Sequence, residues 1–246
     1  MSEERAPPGL FGKLPSHGDF VMRRLPPDVR LCFDDWIQAA LVRSRADLGE
    51  TWLSTWLSSP LWRFVAGAGI VGSGAGAWAG VMMPSHDRVG RCFPLLLAAP
   101  VAGRPLLGDC LAPHGGWFAR LEDMALSALE EGFSLDAFDA ALAQAGGAAT
   151  AEGMETDAEA GAGAATSAAQ PAPLGVFDAA AMPALAASAV DRGQSAWWTD
   201  GSPLVAPCLA VCSGLPAPEG FAALLDGRWL QHGWTRGQAV DPDRRE

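Results

Sequence analysis

Two short segments of the chain echo one another: Pro15-Ser16-His17-Gly18-Asp19 and Pro84-Ser85-His86-Asp87. Ser, His and Asp side by side are the residue types of a hydrolytic triad. A triad, however, is assembled in space from distant positions, because neighbours along a chain cannot aim their side chains along one proton path. No G-x-S-x-G elbow accompanies them. If the two loops meet, His17, His86, Asp19 and Asp87 would supply nitrogen and oxygen ligands for a metal ion. Otherwise each histidine is a loop residue hydrogen-bonded to its neighbours.

A second pattern, Gly67-Ala-Gly69-Ile-Val-Gly72, matches G-x-G-x-x-G and has Asp87 twenty residues after its first glycine. In a dinucleotide site the third glycine opens a helix whose N-terminus holds the pyrophosphate. Here Gly74, Gly76 and Gly80 follow and Pro84 closes the segment, which predicts a glycine-rich hairpin instead. The run Asp87-Arg88-Val-Gly-Arg91 puts a carboxylate and two guanidinium groups in one tight turn. Arginine pairs bidentately with carboxylates, so Arg88 and Arg91 would grip Asp19 internally or face the acidic groups of a partner. Trp197 and Trp198 alternate across a strand, so one ring belongs in the core and the other is covered by a helix or presented to a partner. No feature here completes a catalytic, cofactor or metal site.

The elements that position these groups are legible in outline. A short strand at residues 10–14 leads into a loop ending at Pro26 and Pro27, beyond which a helix starts. Phe33, Trp36, Ile37, Ala40 and Leu41 fall at i, i+3, i+4, i+7 and i+8, the stripe of an amphipathic helix. Trp52, Leu53, Trp56 and Leu57 repeat it on a shorter helix that ends before Pro60. Apolar strands are predicted at 61–66, 77–83 and 93–99. A long helix then carries Trp117, Phe118, Leu121, Met124, Ala125, Ala128 and Leu129 and stops at Gly132. Ser134 caps another with Leu135, Phe138 and Leu142. Strands at 195–198 and 204–212 and a short helix at 218–225 complete the reading. Near-continuous apolar strands mean a sheet covered on both faces. Together these predict one α/β domain over residues 1–246, interrupted by a flexible acidic Ala/Gly-rich insertion at 143–173 and followed by a tail at 230–246.

Composition limits the partners. The chain has 246 residues, 49% hydrophobic and 18% charged, which is enough apolar surface for a folded core. Its net charge of -11 argues against coating a nucleic acid or an anionic lipid surface. That charge is uneven, with 11 basic and 9 acidic residues through Arg104 against 6 and 19 beyond it. Residues 64–83 carry no charge, long enough for a membrane span, but six glycines favour two strands and a turn. The N-terminus has no apolar stretch behind a positive flank, so cytoplasmic residence is the expectation. Cys32, Cys92, Cys110, Cys208 and Cys212 have no disulfide-framework spacing and read as free thiols.

Several motifs together resemble a family. Gly9-Leu-Phe-Gly-Lys-Leu-Pro15, Gly18-Asp-Phe-Val21 and Arg24-Leu-Pro26 are similar to the opening of TagF (ImpM) proteins, which accompany bacterial type VI secretion systems. The likeness continues through Trp36, Trp52-Leu53 and Pro60-Leu-Trp-Arg-Phe64. It is strongest at Ala79-Gly-Val-Met-Met-Pro-Ser85, Asp87-Arg-Val-Gly-Arg91 and Phe93-Pro-Leu95, and resumes at Ser195-Ala-Trp-Trp198, Gly214-Leu-Pro216 and 221–227. The family usually has an apolar residue where His86 stands and varies at His17, which speaks against catalytic or metal roles for both.

The resemblance implies a three-layer α/β/α sandwich with a central mixed sheet. It also implies a non-enzymatic regulator that acts after translation to restrain the assembly or firing of a contractile secretion apparatus. The implied partner is the cytoplasmic scaffold with a forkhead-associated domain. The face expected to bind comprises Lys13, Asp19, Asp87, Arg88 and Arg91, with Trp197 and Trp198 as further candidates. The bland account is that the polar residues pair with each other and pin the first strand to the sheet. Two other classes remain open: a nucleotide- or metal-binding enzyme using the turn at Gly67, Gly69 and Gly72 or the Ser16-His17 and Ser85-His86 loops, and a structural part of the apparatus.

Overall fold

A computed structural model describes residues 6–74, 76–111, 116–147 and 169–237. Strands β1 (Gly9–Gly12) and β2 (Val21–Arg23) come first, and Pro27 at the first helical position then opens helix α1 (Pro27–Leu48). Phe33, Trp36, Ile37, Ala40 and Leu41 are all buried, so the stripe read from spacing is the face that α1 packs inward. Helix α2 (Trp52–Ser58) follows. Trp52, Thr55 and Trp56 go inward, and the two indoles stack with ring centroids 5.5 Å apart, whereas Leu53 and Leu57 are exposed. Strands β3 (Trp62–Ala66), β4 (Ala77–Met83) and β5 (Leu95–Val101) come next, then helices α3 (Leu107–Cys110), α4 (Trp117–Ser127) and α5 (Leu135–Gln144). Helix α4 is shorter than its pattern suggested, and Leu129 beyond it is exposed. Strands β6 (Gly175–Asp178), β7 (Gln194–Thr199) and β8 (Cys208–Ser213) and helix α6 (Ala222–Asp226) finish the domain.

All eight strands form one sheet in the order β2-β1-β5-β4-β3-β7-β8-β6. The expectation of a mixed sheet does not hold, because every strand pairing is antiparallel. The physical reason lies in the connections. β1 to β2, β3 to β4, β4 to β5 and β7 to β8 are sequential neighbours joined without a crossover helix, which requires antiparallel pairing. Helices α1 to α5 lie on connections between strands that are not neighbours, and α6 follows the last strand. α1 and α2 carry the chain from the β2 edge past β1, β5 and β4 to β3, and α3 to α5 fall between β5 and the far edge strand β6.

Strand alternation sorts the interior into two clusters. Leu95, Leu97, Ala99 and Val101 of β5 join Trp117, Leu121 and Ala125 of α4 and Phe138 and Leu142 of α5. Leu96 and Ala98 join the other face, where α1, α2 and α6 supply Phe33, Trp36, Trp56, Phe221 and Leu224. Each fully buried large apolar side chain of this kind stabilises the fold by about 1.5–3 kcal/mol relative to exposure. The charge-free stretch at 64–83 is β3, a turn and β4, and no helix among the described residues is long and apolar enough to cross a membrane.

The expected insertion at 143–173 lies largely outside the described residues, but its described flanks are held. Ala172 is buried, donates its N–H to Ala189 O at 2.8 Å and accepts from Gln194 Nε2 at 3.0 Å. The segment expected as a tail folds back as far as Gly237. Trp234 Nε1 donates to Gly220 O at 2.9 Å, and Val176 N–H donates to Thr235 O at 2.9 Å, so the stretch lies along the β6 edge. Residues 238–246 lie outside the described part.

Candidate functional site

The two echoing loops meet at the β1 end of the sheet. β1 ends at Gly12, whose φ of 143° suits glycine and whose missing Cβ would stand 2.0 Å from Pro94 O. The chain therefore runs directly against the β4–β5 connection and delivers Lys13 into it. Lys13 Nζ lies 3.0 Å from Asp87 Oδ2, and Arg91 Nε reaches the same oxygen at 2.6 Å. Asp87 Oδ1 accepts the N–H groups of Arg91 at 2.9 Å and Val89 at 3.1 Å. Bonds to backbone carbonyls sew the loops together: Arg88 N–H to His17 O at 2.8 Å, Ser85 Oγ to Lys13 O at 2.8 Å and Arg91 Nη2 to Gly18 O at 2.7 Å.

Asp87 is 0% exposed. Burial is the largest single influence on its carboxyl and pushes the pKa up, but the Arg91 N–H, the Lys13 ammonium, the Arg91 guanidinium and the Val89 N–H together outweigh it. They hold Asp87 well below the usual carboxylate range. Asp87 is thus a permanently ionised hub at neutral pH, with both oxygens engaged. Such a carboxylate is a poor general base and a good structural anchor.

Of the expected partner-facing residues, the structure brings Lys13, Asp87 and Arg91 together and buries the first two. Asp19 is exposed, and its Oδ1 accepts the Phe20 N–H at 2.8 Å; neither Arg88 nor Arg91 pairs with it. Arg88 is exposed, and its Nη2 would stand 3.3 Å from a Cβ placed on Gly18, so the guanidinium lies beside that glycine. Trp197 and Trp198 are elsewhere. Trp197 is 0% exposed and stacks on Phe64 at 4.9 Å, and Trp198 is 3% exposed with its ring 4.8 Å from Phe118 of α4. The helix covers the second ring, so neither tryptophan has surface left for a partner.

The other chemistries find little support in the geometry. The turn holding Gly67, Gly69 and Gly72 joins antiparallel β3 and β4, and no helix follows the third glycine. Its Ser73 N–H and Oγ already bond Asp28 Oδ2 at 2.7 and 2.6 Å, with Asp28 held below its usual pKa by those two bonds. A phosphate there would meet a carboxylate. Ser16 Oγ lies 2.9 Å from His17 Nδ1, but Ser85 Oγ is turned to Lys13 O, and His86 Nδ1 lies 2.9 Å from Asp87 O. Neither Ser-His pair has a carboxylate behind its imidazole. Among the described residues, no group of three or more His, Cys, Asp or Glu side chains is placed to hold a metal ion. The thiols of Cys110 and Cys208 are each pushed up to about 12 by burial, and that of Cys212 to about 11.

Three features, two of them in this region, are not read from the sequence. Phe20 stacks on Phe11 at 5.7 Å, stands edge-on to Phe93 at 4.8 Å and has Lys13 Nζ 5.0 Å from its ring centre. Arg30 lies 5.9 Å over Phe11 and Arg45 lies 4.3 Å over Trp52, both on the same side of the sheet. Neither arginine has a motif around it, so only the fold shows that α1 carries them there. Far away, a pocket of about 320 Å³ lies between β8 and the folded-back 232–235 stretch, with Glu219, Ser213 and His232 in its wall. His232 Nε2 is paired with Asp226 Oδ2 at 3.0 Å.

Residues 9–145 match the family model described as the TagF N-terminal domain, type VI secretion system-associated. The match ends one residue beyond α5, so it contains β1 to β5 and both echoing loops. The solved structure of PA0076 from Pseudomonas aeruginosa PAO1 is similar over 90% of this chain and 94% of that one, at 33% identity and a TM-score of 0.68. No curated protein matches the sequence.

Proposed function

Because the chain belongs to the TagF family of type VI secretion system-associated proteins, we propose that it is a non-enzymatic accessory regulator of a type VI secretion system. It acts in the cytoplasm after translation, by binding a component of the apparatus and restraining assembly or firing. The forkhead-associated-domain scaffold is the partner this reading favours. One observation carries the docking mode: Asp87 spends both oxygens on Lys13, Arg91 and two backbone N–H groups, and the turn so fixed holds Arg88 outward without a carboxylate partner. A rigid, charged, exposed loop suits recognition better than catalysis. The surface comprises Asp19, Arg88 and Arg91, with Lys13 and Asp87 beneath as positioning residues. Helical clusters on both sheet faces also favour reading the fold as a three-layer α/β/α sandwich.

The test is affinity capture with the tagged full chain from cells expressing the cognate secretion cluster. The wild type should retain a secretion component, identified by mass spectrometry, and Arg88→Glu should lose it while keeping its fold. Recovery of no secretion component by a folded wild type counts against the proposal. Stoichiometric retention of the chain in purified assembled apparatus would instead make it a structural part.

A further inference from the structure

The loop face has an apolar centre. Phe20 is 38% exposed, Met22 46% and Val89 69%. These side chains are not loose. Phe20 is fixed between Phe11 and Phe93, and Met22 stands opposite Phe11 in the β1–β2 register, hence on the same face of the sheet. Val89 sits at the tip of the turn that Asp87 holds, with its N–H bonded to Asp87 Oδ1.

Three arginines border that centre. Arg88 lies beside Gly18, Arg30 over Phe11, and Arg45 over Trp52, whose ring stacks on Trp56, a donor to Ser85 O. Among the described residues, none of these three arginines is in an ion pair with a carboxylate. Of the acids of the two loops, Asp87 is internal and its charge is met by Lys13 and Arg91, which leaves Asp19 as the one exposed loop carboxylate against Arg88, Arg30 and Arg45. The total charge of -11 therefore misdescribes this face, which belongs to the half of the chain with 11 basic and 9 acidic residues.

We infer that the face docks an acidic protein segment with interspersed apolar side chains. Its carboxylates pair with Arg88, Arg30 and Arg45, and its apolar residues cover Phe20, Met22 and Val89. Guanidinium forks bind carboxylates bidentately, and an apolar anchor inside a charged rim is the common anatomy of a specific interface. Lys13 and Asp87 touch nothing of the partner; they set the turn that aims Arg88. This inference rests on the docking reading proposed above.

The test is fluorescence anisotropy with the full chain and a labelled synthetic peptide alternating Asp or Glu with Leu and Phe. Binding is expected, weakening as salt is raised. Arg88→Glu, at an exposed position that leaves the fold intact by circular dichroism, should bind about tenfold more weakly, and Phe20→Ala should weaken binding as well. A peptide with Lys in place of the acids should not bind. Failure of the acidic peptide to bind overturns the inference, as does binding unchanged by Arg88→Glu. Equal binding of an acidic peptide lacking apolar residues, or preferential binding to phosphatidylserine vesicles, overturns it too. If Arg88→Glu loses the secretion component in cells while the wild type ignores the acidic peptide, the partner chemistry is wrong and docking through this face stands. If Arg88→Glu keeps that component, both fail.

Discussion

Lys13 and Asp87, 74 residues apart in sequence, meet at 3.0 Å in a site where Asp87 has no exposed surface. A buried ion pair is not in itself a large source of stability, because desolvation cancels much of the attraction. Its consequence here is positional. With Arg91 and two backbone N–H groups completing the hydrogen bonding, it locks the β1 loop to the β4–β5 turn and leaves Arg88 and Val89 outside.

Acid should unlock this junction. The Asp87 carboxyl is held below its unfolded value, so the stability it contributes is fully present above the unfolded carboxylate pKa of about 3.9 and is lost as pH falls toward the folded value. Asp87→Asn should be less stable than wild type at pH 7, and the difference should shrink below about pH 4. Urea denaturation across pH checks this. A constant difference at all pH values would mean that ionised Asp87 contributes nothing.

The cores should respond by depth. Trp197→Ala should cost about 3–5 kcal/mol, since its ring is fully buried and packed on Phe64 and Trp36. Leu57→Ala, at a side chain 62% exposed, should stay within about 0.5 kcal/mol of wild type. Chemical denaturation of both variants measures the contrast.

The Leu57 contrast also marks what the amino-acid order carries. The α1 stripe and the bounds of β4 follow from periodicity, because both elements pack apolar positions against the interior. Trp52, Leu53, Trp56 and Leu57 have helical spacing too, but α2 turns Trp52, Thr55 and Trp56 inward and leaves both leucines exposed. Strand β2 has three residues, of which only Val21 is buried, so no alternation announces it. Strands interleaved with helices predict an α/β domain, but that pattern is silent about where each crossover lands and so could not correct the mixed sheet that the resemblance implies. At the site, the tight turn at 87–91 is readable, but its internal ion pair is not: Asp19 is the expected internal partner of Arg88 and Arg91, and Arg91 instead takes Asp87 four residues back. That Lys13 would take the same carboxylate, and that α1 would set Arg30 over Phe11 and Arg45 over Trp52, depends on the β1–β5 pairing and the course of the helix.

Gly12→Ala should damage the junction from the backbone side. A φ of 143° is costly for any L side chain, and the added Cβ would meet Pro94 O at 2.0 Å. A loss on the order of 1–3 kcal/mol or more is expected, together with faster amide hydrogen exchange at Arg88, whose N–H bonds His17 O. Hydrogen exchange followed by mass spectrometry reads both effects. Unchanged protection at Arg88 would show that the loop keeps its seat without this glycine.

The buried thiols should be inert. Cys110 and Cys208, each pushed up to about 12, and Cys212, to about 11, hold few thiolates at pH 8. Alkylation by iodoacetamide should be slow in the folded chain and become fast in denaturant, as peptide mapping would show. Rapid labelling of Cys208 under native conditions would contradict its burial.

The most direct test is effector release in the cell. A strain lacking the chain should secrete more effector than its parent, and plasmid-borne wild type should restore restraint. Arg88→Glu, expressed at equal level, should not restore it. Secretion unchanged by deletion, or full restoration by Arg88→Glu, contradicts restraint through the Arg88 face.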